Sequence, residues 1–181
     1  LKGLNFDKIR ARLEAIPEGF ADRVAKVGWF PAAQYPDGTP VAYVAAIQEN
    51  GYSAGGIQAR PFIRPTIADR KDVWVNVMAD GMRAVVKGRA SAEQVLDGVG
   101  LQAAGDIAHT LGTASFAPLS PVTLMLRKMR DDDPGLVMNR RVVAEAARRV
   151  AAGEAGSTRT DPLHDSGLMI SSLTHLVGEA E

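Results

Sequence analysis

A chain of 181 residues with 46% apolar content can bury roughly 70% of its unfolded surface in one core. Its 21 basic residues balance 21 acidic ones, which excludes a whole-molecule field drawing it onto DNA or an anionic membrane. With no cysteine, no apolar run near the ~20 residues of a membrane span and no basic-then-apolar order at the N-terminus, disulfides, thiolate chemistry, a spanning helix and a signal peptide are not expected. The expectation is a protein made and used in soluble form, in the cytoplasm.

Residues 5–16 carry Ile9, Leu13 and Ile16 at helical spacing between Asn5, a good N-cap, and Pro17, and predict a short opening helix. Segments 23–30 and 41–48 are rich in Val, Ile and aromatics. They enclose PAAQYPDGTP, where Pro36, Asp37 and Gly38 are turn chemistry, so the pattern predicts a β-hairpin with a long tip. Asn50-Gly51 is a further turn, and Gly55-Gly56 loosens the path to ARPFIRPTI at 59–67. There Pro61 and Pro65 restrict the backbone and leave gaps in any strand ladder, which predicts a stiff connector anchored by Phe62 or Ile63.

From about Thr66 to near Gly88, Ile67, Trp74, Met78, Met82 and Val85 fall on one face of a long helix. Ser91 and Gln94 form a capping-box pattern ahead of a second stripe, Leu96, Val99, Ala103, Ile107 and Leu111. Glycines 98, 100 and 105 weaken that helix by about 1 kcal/mol each against alanine, unless a close neighbour requires them.

Segment 116–124, FAPLSPVTL, reads as an extended connector, followed by a charged turn, RKMRDDDPG. A helix is expected within 136–156 on Val142, Val143, Ala146, Ala147 and Val150, ended by Gly153 and Gly156. The apolar run that closes 161–178 fits a helical turn or a last strand equally well. Together these elements predict a single α+β domain over 1–181: an antiparallel β-sheet with a long-tipped hairpin packed against two or three α-helices. Residues 127–160 form a charged-turn-plus-helix insertion, and 161–181 a closing segment.

Reactive constellations are sparse. His109, His164 and His175 lack metal-ligand spacing. His164, Asp165 and Ser166 are adjacent, whereas catalytic triads are assembled from distant positions, so a hydrolase has little support. Asp131, Asp132 and Asp133 point in different directions and read as a solvated acidic turn. Arg140, Arg141, Arg148 and Arg149 return to one side of a helix, but Glu145 stands four residues from both Arg141 and Arg149, as in a solvent-facing or subunit-facing surface. Contact with phosphate is the other use of such a stripe, and makes a small DNA-associated packaging factor an alternative.

Four unusual segments occur in order: YPDGTPVAYVAAIQENG (35–51), IQARPFIRPTI (57–67), APLSPVTL (117–124) and DPLHDSGLMISSL (161–173). In this order they resemble the tail-completion and neck proteins of long-tailed bacteriophages and prophages, the Mu-like and lambdoid virion-morphogenesis group. The matching positions are Asp37, Gly38, Glu49 and Gly51; Arg60, Pro61, Phe62 and Arg64; Pro118, Leu119 and Thr123; and Pro162, Leu163, Asp165, Ser166, Gly167 and Ser172. Asp161 and His164 depart from the pattern, and the stretch between Thr123 and Pro162 is longer than the group's.

The resemblance implies a structural virion protein and no enzyme or cofactor. It implies a homo-oligomeric, sixfold ring at the neck that terminates the tail and joins it to the head, with a head-closure or connector layer as the alternative. Its partners would be the tail tube protein and head-side neck proteins, with DNA passing through the lumen. It would be assembled in host cytoplasm and reside in the virion. Arg60, Phe62, Arg64, Arg140, Arg141, Arg148 and Arg149 become candidates for a subunit or lumen interface, where charge reversal at Arg60 or Arg64 should impair assembly more than folding.

Overall fold

The computed structural model describes residues 10, 11, 14, 19–163 and 167–180. Most of the opening helix expected over 5–16, together with His164, Asp165 and Ser166, lies outside the described residues. Within them the chain is α+β, with six helices and a two-stranded antiparallel sheet. The elements in chain order are β1 (Arg23–Gly28), α1 (Val41–Asn50), a 3-10 turn (Ser53–Gly55), α2 (Ile63–Val86), α3 (Ala92–Thr113), α4 (Pro121–Asp132), α5 (Arg140–Ala151), α6 (Leu168–Ser171) and β2 (Thr174–Glu179). They divide into two compact units. One holds the chain up to Ala114 and again from Leu168, and the other is Ser115–Gly167, which takes in residues 127–160 with a flank on each side.

The expected hairpin does not form, because segment 41–48 is helical. Its side chains look β-like, but burial recurs at Val41, Ala45 and Glu49, a helical interval, and three alanines favour the helix. The turn chemistry ahead of it is real. Gly38 donates its N–H to the Tyr35 carbonyl at 2.9 Å and has φ 81°, yet the turn closes only an isolated bridge between Gln34 and Pro40. β1 pairs instead with β2, from Arg23↔Glu179 to Gly28↔Thr174. The closing run thus supplies both a helical turn, α6, and the last strand.

α3 is the centre of the first unit. Its capping box forms: Ser91 Oγ accepts the Gln94 N–H at 3.2 Å, and Gln94 Oε1 accepts the Ser91 N–H at 2.9 Å. Val95, Leu96, Ala103, Ala104, Ile107 and Leu111 are buried along it, between the sheet and α2. Helix α2 runs antiparallel to α3. Near its start Thr66 Oγ1 meets Thr110 Oγ1 at 2.6 Å, midway Trp74 Nε1 donates to Asp106 Oδ2 at 2.7 Å, and toward its end Gly81 lies against Val95. This seam differs from the expected stripe. Trp74 belongs to it, but Ile67 and Met82 remain 43% and 41% exposed.

The helical glycines separate by what surrounds them. A Cβ on Gly81 would lie 2.4 Å from Val95 Cγ1, and one on Gly100 would lie 2.7 Å from the His175 ring, whereas Gly98 and Gly105 have open space. Alanine at Gly98 or Gly105 is therefore expected to stabilise the protein by about 0.5–1 kcal/mol. Alanine at Gly81 should destabilise it, because the overpacking penalty of about 1–3 kcal/mol exceeds the gain in helix propensity. Urea unfolding of the three variants checks the opposite signs.

In the second unit the extended segment stops at Ser120 and Pro121 opens α4, so the expected connector is shorter and most of the expected charged turn is helical. Ser120 Oγ accepts the Thr123 N–H at 3.1 Å, and proline in the first turn forfeits no helical hydrogen bond. Met125, Met129 and Ala146 form a small core, with Val122, Leu126, Leu136, Val142 and Val150 packed around it. The chain after α5 folds back along α4. Arg127, buried, donates to the carbonyls of Arg159 at 2.7 Å and Asp161 at 3.1 Å, and Arg159 Nη2 reaches both carboxylate oxygens of Asp131 at 2.7 and 2.8 Å.

Candidate functional site

The proline-bounded segment is the start of a helix. Pro61 precedes it, Phe62 occupies the N-cap position, and Pro65 sits inside the first turn of α2, where its missing N–H would have no helical partner. Phenylalanine offers no oxygen to the helix, so the exposed amides need an acceptor from elsewhere. Glu49, near the end of α1, provides it.

One Glu49 oxygen accepts the N–H of Phe62 at 2.6 Å and of Ile63 at 2.9 Å, and the other accepts the N–H of Arg64 at 3.1 Å and its Nε at 2.9 Å. Arg64 Nη2 also donates to the Glu49 carbonyl at 2.8 Å. Burial opposes ionisation of Glu49, but the three amides and Arg64 outweigh it and hold the carboxyl below the ordinary glutamate range. A negative charge at a helix N-terminus also complements the helix dipole.

The loop between α1 and α2 must double back to bring these groups together. Gly51 has φ 75°, and a Cβ there would lie 2.9 Å from the Ala59 nitrogen, so glycine is required by both conformation and space. Tyr52 and Ile57 then exchange backbone hydrogen bonds at 2.8 and 3.0 Å, and the Arg60 N–H closes onto the Gln48 carbonyl at 2.7 Å. The Arg60 side chain is buried with Nη1 on Gln48 Oε1 at 3.1 Å, and burial pulls its pKa below the ordinary arginine value.

Phe62 is fully buried, edge-on to Trp29 with ring centroids 5.9 Å apart, and Trp29 Nε1 donates to the Met169 carbonyl at 2.7 Å. The joint thereby links the end of β1, the beginning of α2 and α6.

Of the candidate interface residues, the fold brings Arg60, Phe62 and Arg64 into this joint with Glu49 and Gly51. Phe62 and Arg60 are turned inward, while the Arg64 side chain is 64% exposed despite its bond to Glu49. Charge reversal at Arg64 would set two carboxylates together and perturb folding as well as any assembly. Arg140, Arg141, Arg148 and Arg149 lie in the other unit, on α5, which begins at an Asn139 cap. Arg140, Arg141 and Arg148 are exposed, and Arg148 and Arg149 reach Glu145 at 2.7 and 3.1 Å.

The remaining signature residues among those described lie in local turns, caps and connections. Asp37 Oδ1 accepts the Thr39 N–H at 2.9 Å, Pro118 and Leu119 lie in the extended segment before α4, and Pro162 and Leu163 lie in a turn. Gly167 has φ 71° before α6, and Ser172 Oγ donates to the Leu168 carbonyl at 2.5 Å.

A polar cleft of about 280 Å³ is lined by Asp69, Arg70, Asp106, His109 and Thr110. Its central carboxylate is engaged: Asp106 accepts from Trp74 at 2.7 Å and from Gln102 at 3.2 Å, and pairs with Arg70 at 3.3 Å. Burial raises the pKa of Asp106, but these partners lower it further, below the ordinary aspartate range, so the group joins α2 to α3 as an anion. Among the described residues no three His, Asp or Glu side chains gather as a metal site, and no helix is long and apolar enough to cross a membrane.

Sequence patterning located the elbow and its anchor but missed Glu49 as the cap of α2. The available signal was the helix start itself, which has phenylalanine where Ser, Thr, Asp or Asn would serve. No protein family, curated protein or solved structure matches this chain.

Proposed function

We propose that this chain is a structural subunit of the neck of a long-tailed bacteriophage or prophage, assembling as a homo-oligomeric ring that completes the tail and joins it to the head. The observation that carries the reading is the ordered set of four segments across most of the chain. Two of them, 35–51 and 57–67, are physically one unit in the fold, because Glu49 of the first caps the helix begun by the second. A ring needs a stiff subunit whose surfaces stay in fixed relation, and a joint built from paired prolines, a buried aromatic and a carboxylate cap supports that demand.

In this reading the ring has sixfold symmetry. Its neighbours are the tail tube protein on one side and head-side connector proteins on the other, with DNA passing through the lumen. Electron microscopy of particles assembled without this protein tests it. The expected result is separate heads and tails, or tails of uncontrolled length, restored by supplying the protein in trans. Normal infectious particles in its absence would overturn the reading.

A further inference from the structure

The β1–β2 ribbon has an unusual position for a sheet. Its principal neighbour beyond itself is α3, which covers one face. The Ala180 N–H donates to the Asp22 carbonyl at 2.6 Å, so 22↔180 is a hydrogen-bonded pair and the alternation along the ladder follows from it. Arg23, Ala25 and Val27 therefore direct their N–H and C=O groups away from β2, and His175, Val177 and Glu179 direct theirs away from β1. Among the described residues no other segment donates or accepts a backbone hydrogen bond at these six positions. Among the described residues both edges of the sheet are open, and two strands alone give marginal stability.

The two edges are also unlike each other in charge. β1 carries Arg23 and Lys26, whereas β2 carries Glu179 as its formally charged residue. A second β1 edge offers these basic residues no acidic partner, while β1 beside β2 in the register of the subunit sets Arg23 opposite Glu179.

We infer that the free β1 edge is an assembly surface whose occupant is the β2 edge of a second copy of this chain. Adding β2 of the next copy antiparallel to β1 repeats the arrangement already present within the subunit, with Arg23 beside Glu179 of the next copy and Lys26 beside its Leu176. All copies then point the same way around an axis, and the contact is heterologous, the type that closes into a ring. Leu176, 52% exposed on the face away from α3, then lies against Lys26 of its neighbour. The inference deepens the ring reading and rests on it.

The absence of native cysteine makes the test direct. Lys26→Cys protein and Leu176→Cys protein are mixed, allowed to assemble and mildly oxidised. A cross-linked heterodimer is expected from the mixture and from neither variant alone, since each alone lacks the opposing thiol. A homodimer from Lys26→Cys alone would overturn the heterologous arrangement. In parallel, Ala25→Pro and Val177→Pro remove an outward N–H while sparing the bonds between β1 and β2, so the expected result is native circular dichroism with loss of the ring species in sedimentation. Should both proline variants misfold, the cross-link alone decides. Rings of unmodified protein without the mixed cross-link would overturn the edge pairing and leave the ring reading standing. Unmodified protein that stays monomeric at every concentration would overturn both.

Discussion

Phe62→Ala is expected to destabilise the protein by about 4 kcal/mol, the middle of the range for truncating a fully buried aromatic. The ring has no exposed surface, so its removal leaves a cavity bounded by the Trp29 edge and the first turns of α2. The edge-to-face pair adds about 1 kcal/mol beyond area burial. A domain of this size has only about 5–15 kcal/mol of total stability, so the variant should show a much lower urea midpoint. Trp29 fluorescence follows the transition, since its indole packs on the missing ring. Phe62→Leu, which keeps most of the volume, should lose less than half as much. A Phe62→Ala midpoint within error of the parent would mean that this side chain does not anchor the joint.

Glu49→Ala is expected to cost about 3 kcal/mol, because it strands the amides of Phe62, Ile63 and Arg64 without their charged acceptor. Glu49→Gln retains a carbonyl oxygen and loses the charge, so it should lose less at neutral pH. The two substitutions also differ in how stability depends on pH. The folded state lowers the Glu49 pKa, so its contribution is fully present above the ordinary glutamate range near 4.3 and is lost as the pH falls through the folded value. The parent and Glu49→Gln should therefore differ most at neutral pH and converge in acid. Asp106 is also held below its ordinary range and leaves the Gln variant a residual acid lability, which Glu49→Gln/Asp106→Asn should reduce further. A parent-minus-Gln difference that stays constant from pH 7 to pH 3 would contradict the ionised cap.

Sequence and fold agree where one local signal decides the outcome. Ser91 with Gln94 fixed the start of α3, and the spacing of Leu96, Ala103, Ile107 and Leu111 identified its buried face. Agreement fails where tertiary context outweighs composition. Valine, tyrosine and isoleucine made 41–48 look like a strand, but what counts there is burial of Val41, Ala45 and Glu49 on one helical face. β1 was correctly located, while its partner lay at the opposite end of the chain, beyond the reach of any pattern in neighbouring residues.

At the candidate site, residue type narrowed the anchor to Phe62 or Ile63, and the fold buries Phe62. Glu49 as the helix cap was not legible, because capping rules look within a few residues of the helix start and this acceptor belongs to another helix. Pro65 misled in the same way: a proline that would break a helix interior is harmless in the first turn.

The pairing of β1 with β2 also sets an order of events during synthesis. β1 leaves the ribosome early, but β2 follows only after α2, α3 and the whole of Ser115–Gly167. Such a long-range pairing is entropically expensive to close and forms late, while α2 and α3 can meet as a local helical hairpin. A nascent chain short of Thr174 therefore has no ribbon at all. If the edges of that ribbon are what copies use to find each other, subunits cannot associate through them before β2 has been made, and assembly is timed by the arrival of that strand.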